Sequence, residues 1–158
     1  METENLSAKD DIIRGDKAIL GYLVENCISA YDELCKVNRE LVEGMAPNSN
    51  ADVNRLGMMN RVLQDYVIIR VGGLFDRVKY KTRGETDEVI SFEKLYSGDK
   101  GLENVKGQEI IKYIIKQRHN FTAHTNRNHI EKNFPVTAKI CDSNLKTLLE
   151  ILQKLLKS

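Results

Sequence analysis

The sequence predicts an all-α protein: a bundle of four main helices, with one or two short extra helices between the second and third. Apolar residues recur three and four positions apart over long stretches, which is the spacing of one face of a helix. Alternation with a period of two residues is scarce, so strands are not expected to dominate. The chain of 158 residues suits one domain, with an ordered core from about residue 10 to about residue 156.

The first two main helices follow from this spacing and from the residues that bound them. One long amphipathic helix is predicted from Ile12 to Val42, with Gly44 placed to stop it. A second helix is predicted from about Val53 to Tyr80, after turn-forming residues and with Asn50 or Asp52 as a cap. Within it, the pair Gly72-Gly73 indicates close packing against another helix.

The second half of the chain begins with an irregular linker at about residues 84–104, where one short helix is expected to be pinned by Phe92 and Leu95. A third main helix is predicted from about Val105 to Thr125. The fourth follows a cap at residues 142–144 and is expected to pack on the bundle through its leucines: Leu145, Leu148, Leu149, Leu152, Leu155 and Leu156.

Composition excludes several classes of protein. The formal net charge is +1, which does not fit the broadly basic surface of a strong duplex binder, although a local patch could still hold a few phosphates. Three cysteines without a Cys-x-x-Cys pair indicate free, buried thiols in a reducing compartment. Neither a signal peptide nor a membrane-length apolar run is recognisable, so we expect a cytoplasmic protein without a membrane partner.

Arg118 is the least expected residue in the chain. It falls on the apolar stripe that Ile110, Ile111, Ile114 and Ile115 form on the third main helix. A guanidinium does not lose its charge, so at such a position it requires an anion, a set of carbonyls or a subunit boundary. Arg70 lies inside the stripe of the second helix, and two buried arginines would suggest a shared anionic partner.

His124 follows Arg118 by six positions, roughly 120° further round an ideal helix, so the two side chains would flank one groove. A fixed positive charge and a titratable proton carrier are what cleavage of a phosphodiester requires without a metal. The structural alternative is an arginine paired with a buried carboxylate and a histidine that caps carbonyls at the helix end.

The run Arg118-His119-Asn120-Phe121-Thr122-Ala123-His124 resembles the signature of the HEPN superfamily (higher eukaryotes and prokaryotes nucleotide-binding), in which an arginine and a polar residue precede a histidine across a short spacer. Residues 69–76, 90–95 and 135–137 are similar to the layout of its abortive-infection branch. That branch often has an acid two positions after the histidine, where this chain has Asn126.

The resemblance implies a metal-independent endoribonuclease of a phage-defence or toxin-antitoxin system. Its substrate would be single-stranded RNA, and its catalytic residues, Arg118 and His124, would meet their copies across a homodimer interface to form a composite cleft. A cognate antitoxin or another defence-system partner is also expected. No cofactor is predicted.

Supporting roles fall to residues beside the motif and to a basic stretch. His119 and Asn120 would orient Arg118 or contact RNA, and Arg70 would share its anion. Arg77, Lys79 and Tyr80 would hold the RNA backbone and stack a base, or else the cations would complement the dipole at a helix C-terminus.

Three further interpretations remain. His119, His124 and His129 recur every five residues, but metal-binding pairs on helices use spacings of three or four, so no metal site is predicted. A second functional class is a non-catalytic HEPN-like module that binds a nucleotide or a partner protein in the same cleft, which Asn126 favours. The third is a helical adaptor in which both arginines serve only in interface ion pairs.

Overall fold

A computed structural model describes residues 2–42, 50–77, 79–82, 85–123 and 136–158, with side chains at 6–42, 52–77, 89–120 and 138–158. Within these ranges the regular structure is helical, apart from one antiparallel pair of short strands. The predicted all-α fold class is therefore confirmed. The elements are α1 (Glu2–Val42), α2 (Asn50–Gly73), β1 (Lys79–Thr82), β2 (Glu85–Glu88), α3 (Phe92–Tyr96), α4 (Lys100–Gly107), α5 (Glu109–Ala123), α6 (Val136–Cys141) and α7 (Leu145–Leu156).

Helix α1 packs against three other helices, α2, α6 and α7, and α2 in turn contacts α5. The buried residues of α1 follow the predicted spacing of three and four positions: Leu20, Val24, Cys27, Tyr31, Leu34 and Val37. The helix begins at Glu2, well before the predicted Ile12, because neither glycine nor proline interrupts the polar residues that precede Gly15. Gly44, its predicted stop, lies outside the described residues.

Helix α2 ends at Gly73, so the prediction that it extends to Tyr80 was wrong. After Gly73 the chain tightens into a turn in which Phe75 N–H donates to the Gly72 carbonyl over 3.2 Å. Leu74 and Phe75 are buried there, and the Phe92 N–H donates to the Leu74 carbonyl over 2.9 Å. This bond from α3 satisfies a carbonyl that a longer helix would have satisfied internally.

The linker contains two short helices, within the one or two that the sequence predicts. Phe92 is fully buried and Leu95 half-buried, which confirms that α3 is pinned by its apolar residues. Asp99 caps α4 by accepting from the Leu102 N–H over 3.1 Å. Val105 belongs to α4, and α5 begins only at Glu109, because the chain bends after Gly107.

The C-terminal helices close the core against α1. The buried leucines of α7 are Leu145, Leu148, Leu149 and Leu152, as its spacing predicts. Helix α6 is held by Tyr31, whose hydroxyl donates to the carbonyls of Cys141 at 3.3 Å and Ser143 at 3.1 Å. The turn into α7 is therefore fixed to the C-terminal half of α1.

All three cysteines are free, as predicted, but only Cys27 is fully buried, whereas Cys35 and Cys141 are half-buried. Burial raises the pKa of the Cys27 thiol to about 12, although the charge of Arg70 opposes the shift. Burial also raises the pKa of Cys141. Cys27 and Cys141 therefore remain protonated and weakly nucleophilic near neutral pH.

Candidate functional site

Arg118 lies on α5 where this helix packs against the end of α2, a contact that we call the α2–α5 seam. Its guanidinium makes a two-point ion pair with the carboxylate of Asp76. Nη2 donates to Oδ2 over 2.9 Å, and Nη1 donates to Oδ1. The side chains are 31% and 33% exposed, so the pair lies at the rim of the core. Two parallel, charge-assisted bonds fix the plane of the guanidinium as well as its position.

Gly72 makes the close approach of Arg118 possible. A Cβ atom built on Gly72 would lie 2.6 Å from Cδ of Arg118, which is far too close, and 3.1 Å from its Cβ, which is tighter than an ordinary contact. The same construction at Gly73 meets Arg118 only at 3.9 Å, which is an ordinary contact distance. The predicted role of the Gly72-Gly73 pair in close helix packing is confirmed at Gly72.

Asp76 is itself held in place from α3. The buried Ser91 hydroxyl donates to the Asp76 carbonyl over 2.9 Å and accepts from the Lys94 N–H over 3.2 Å as the N-cap of α3. Because one hydroxyl caps the helix and bonds to Asp76, the start of α3 and the turn after α2 form one rigid unit. The position of the carboxylate thus depends on the position of α3.

An ion pair fastens α3 to α1. The Lys94 ammonium lies 2.7 Å from the carboxylate of Asp16, and these side chains are only 15% and 11% exposed. A pair this well buried is costly to break, because each side chain would lose a close opposite charge that offsets its desolvation. Through Asp16, Lys94, Ser91 and Asp76, the long helix α1 is connected to Arg118.

Of the candidate residues that follow Arg118 in the sequence, two lie beside it on α5 and two lie outside the described residues. His119 is exposed and Asn120 half-buried, both on α5 beside Arg118. His124 and His129 lie outside the described residues, as α5 is described only to Ala123. The prediction that Arg118 and His124 flank one groove therefore stays a prediction.

Arg70 was wrongly placed in the buried stripe of α2. It is exposed, and its guanidinium lies over the ring of Tyr66 at 5.7 Å from the ring centre. The residue falls at the edge of the stripe that Val67 and Val71 form, and a long arginine side chain extends from such an edge into water. The carboxylate that pairs with Arg118 is that of Asp76.

Arg77, Lys79 and Tyr80 do not lie at a helix C-terminus, because α2 has already ended at Gly73. Arg77 is exposed in the segment after α2. Lys79 and Tyr80 belong to β1, where they pair with Glu88 and Asp87 of β2, and their side chains are outside the described set. The alternative in which these cations complement the dipole of α2 was therefore wrong.

The sequence did not reveal Asp76 as the partner of Arg118, since the two residues are 42 positions apart. One signal was present. A glycine pair on one helix and a long side chain on the apolar stripe of another indicate a close crossing, and Asp76 follows that glycine pair by three positions. An acid just beyond the crossing was the natural candidate to pair with the arginine.

Among the described residues, no three His, Cys, Asp or Glu side chains come together in a way that could hold a metal ion. In the same part of the chain, no helix combines the length and the apolar character needed to span a bilayer. Comparisons with protein-family models, with curated proteins and with solved structures find no match to this chain. Its function is therefore inferred from the residues and geometry around Arg118.

Proposed function

We propose that this protein is a metal-independent endoribonuclease of a phage-defence or toxin-antitoxin system, with a HEPN-like bundle of four main helices. Its substrate is single-stranded RNA, and its site is composite, formed by Arg118 and His124 of two copies in a homodimer. A cognate antitoxin or another defence-system partner regulates it. The protein works in the cytoplasm and uses no cofactor.

The observation that carries this proposal is the setting of Arg118. Its guanidinium is half-buried and fixed in plane by Asp76 at the α2–α5 seam, and α5 extends to Ala123, the residue before His124. A charge fixed in advance at a partly buried site stabilises developing negative charge more than a mobile surface arginine would. The helical spacing between Arg118 and His124 supports their action on one phosphodiester.

In the proposed reaction the ribose 2′-hydroxyl is the nucleophile. His124 accepts the proton of that hydroxyl, or returns a proton to the leaving 5′-oxygen, because an imidazole can take up and release a proton near neutral pH. Arg118 holds the scissile phosphate and the charge that develops on its oxygens. DNA lacks the 2′-hydroxyl and is not cleaved.

The function is tested with purified protein, Arg118→Ala and His124→Ala on single-stranded RNA and matching DNA in EDTA. Loss of the phosphate-binding charge or of the proton carrier is expected to slow RNA cleavage by about 100-fold or more. Lys116→Ala is the matched control, because Lys116 is an exposed cation on the same helix, and it should keep the wild-type rate.

Circular dichroism and analytical ultracentrifugation would verify that each variant is folded and dimeric. Failure of the wild-type protein to cleave a broad panel of RNA sequences would overturn the ribonuclease function. Full activity in Arg118→Ala would overturn the catalytic role of Arg118.

A second candidate function is a non-catalytic module that binds a nucleotide or a partner protein in the same cleft. It is favoured by Asn126, which stands where an acid that could orient His124 would be expected. Nucleotide binding measured by calorimetry, together with no RNA cleavage, would select this function over the first.

A further inference from the structure

Asp76 lies outside the motif that carries the proposed chemistry, yet it fixes the plane of the Arg118 guanidinium. We propose that Asp76 is the positioning residue of the ribonuclease site: it holds Arg118 in the orientation that receives the scissile phosphate. This inference rests on the proposed ribonuclease function, and it adds a residue 42 positions away from Arg118.

The geometry of the Arg118–Asp76 pair fixes the orientation of the guanidinium. A single contact would let the guanidinium rotate about one hydrogen bond, whereas bonds from Nη1 and Nη2 to the two carboxylate oxygens set its plane. The carboxylate therefore fixes the orientation of the guanidinium as well as its position.

The carboxylate of Asp76 also has a fixed position of its own. The backbone of Asp76 is tied on both sides: its N–H donates to the Gly73 carbonyl at 3.3 Å, and its carbonyl accepts from Ser91 at 2.9 Å. Gly72 lets the aliphatic part of Arg118 lie directly on α2. The aliphatic part of Arg118 is thus held by α2 and its guanidinium by Asp76. A preorganised group requires such a fixed position.

The electrostatic setting of the Arg118–Asp76 pair also supports a positioning role for Asp76. The pair with Asp76 compensates the charge of Arg118 before substrate arrives, so an arginine at the half-buried seam costs less free energy in the unbound protein. A phosphate that carries negative charge then meets a guanidinium already aligned toward it. A small displacement of such a group costs on the order of 100-fold in rate.

The test measures kcat and KM for RNA cleavage by Asp76→Asn, Asp76→Glu and the wild-type protein. Asparagine keeps the shape of the side chain but presents an N–H₂ group where one carboxylate oxygen accepted a bond. We expect Asp76→Asn to lower kcat on the order of 100-fold, with a smaller change in KM. Asp76→Glu restores the charge and should recover part of the lost rate.

Asp32→Asn is the matched control for loss of one carboxylate. Asp32 is 51% exposed and pairs with Lys146 at 2.9 Å on the surface between α1 and α7, so its kcat should equal that of the wild type. Thermal unfolding of every variant separates positioning from stability, since a purely structural role would lower the melting temperature and leave kcat of the folded protein unchanged.

The possible outcomes separate this inference from the function on which it rests. Wild-type cleavage with an unchanged kcat in folded Asp76→Asn would overturn the positioning role and leave the ribonuclease function intact. A wild-type protein that cleaves no RNA would overturn both. A large loss of kcat in Asp76→Asn, with partial recovery in Asp76→Glu, would establish the positioning role.

Discussion

Replacement of Asp16 by alanine is expected to lower the free energy of unfolding by about 3 kcal/mol or more. The Lys94 ammonium, which lies 2.7 Å from the Asp16 carboxylate in a poorly solvated place, would lose that compensating charge. Loss of this ion pair would also weaken the attachment of α3 to α1. Urea unfolding followed by circular dichroism measures the change, provided that the slope of the transition is the same for both proteins.

The control for this change is Asp11→Ala. Asp11 pairs with Arg14 at 3.6 Å on the same helix, but their side chains are 67% and 80% exposed, so the loss should stay within about 0.5 kcal/mol. The double variant Asp16→Leu with Lys94→Met removes both charges and should be clearly more stable than Asp16→Ala. An effect of Asp16→Ala as small as that of Asp11→Ala would contradict the structural role of this pair.

Replacement of Gly72 by alanine is expected to destabilise the protein by about 1–3 kcal/mol and to displace Arg118 from Asp76. Alanine normally favours a helix over glycine by roughly 1 kcal/mol, so a loss here must come from the clash. The new methyl group would lie 2.6 Å from Cδ of Arg118, and the Cβ of that residue, at 3.1 Å, is too close to the backbone to move aside easily.

Gly73→Ala provides the matched comparison, because it makes the same chemical change one position further along α2. Its added methyl group would meet Arg118 and Asp76 only at 3.9 Å, so we expect unchanged or slightly increased stability. Chemical denaturation of both variants gives the difference directly. Equal stability of the two alanine variants would show that the approach of Arg118 to Gly72 is looser than described.

Much of the fold was predictable because helices depend on local spacing. The buried positions of α1 and α7 follow from apolar residues three and four apart, and Phe92 was correctly expected to anchor the linker. The end of α2 was not predictable from spacing. Apolar residues continue past Gly73, but hydrogen bonds from Ser91 and Phe92, which are distant in sequence, take up the carbonyls of the turn.

The sequence identified Arg118 as an unusual residue, but it did not predict which residue would pair with it. A charged residue on the apolar stripe of α5 identified Arg118, because such a residue requires a partner. The identity of that partner depends on how α2 crosses α5, which no local pattern contains. Arg70 was misplaced because a stripe drawn on an ideal helix has no sharp edge, and a long side chain at its margin reaches water.

The most direct test of the proposed chemistry is to map the products from an RNA that carries a single 2′-deoxynucleotide at the mapped cleavage position, in EDTA. We predict 2′,3′-cyclic phosphate ends on the unmodified RNA and no cleavage at the 2′-deoxy position, because the attacking hydroxyl is absent there. Cleavage that persists at the 2′-deoxy position, or products with 5′-phosphate and 3′-hydroxyl ends, would contradict attack by the 2′-hydroxyl and with it the assigned roles of Arg118 and His124.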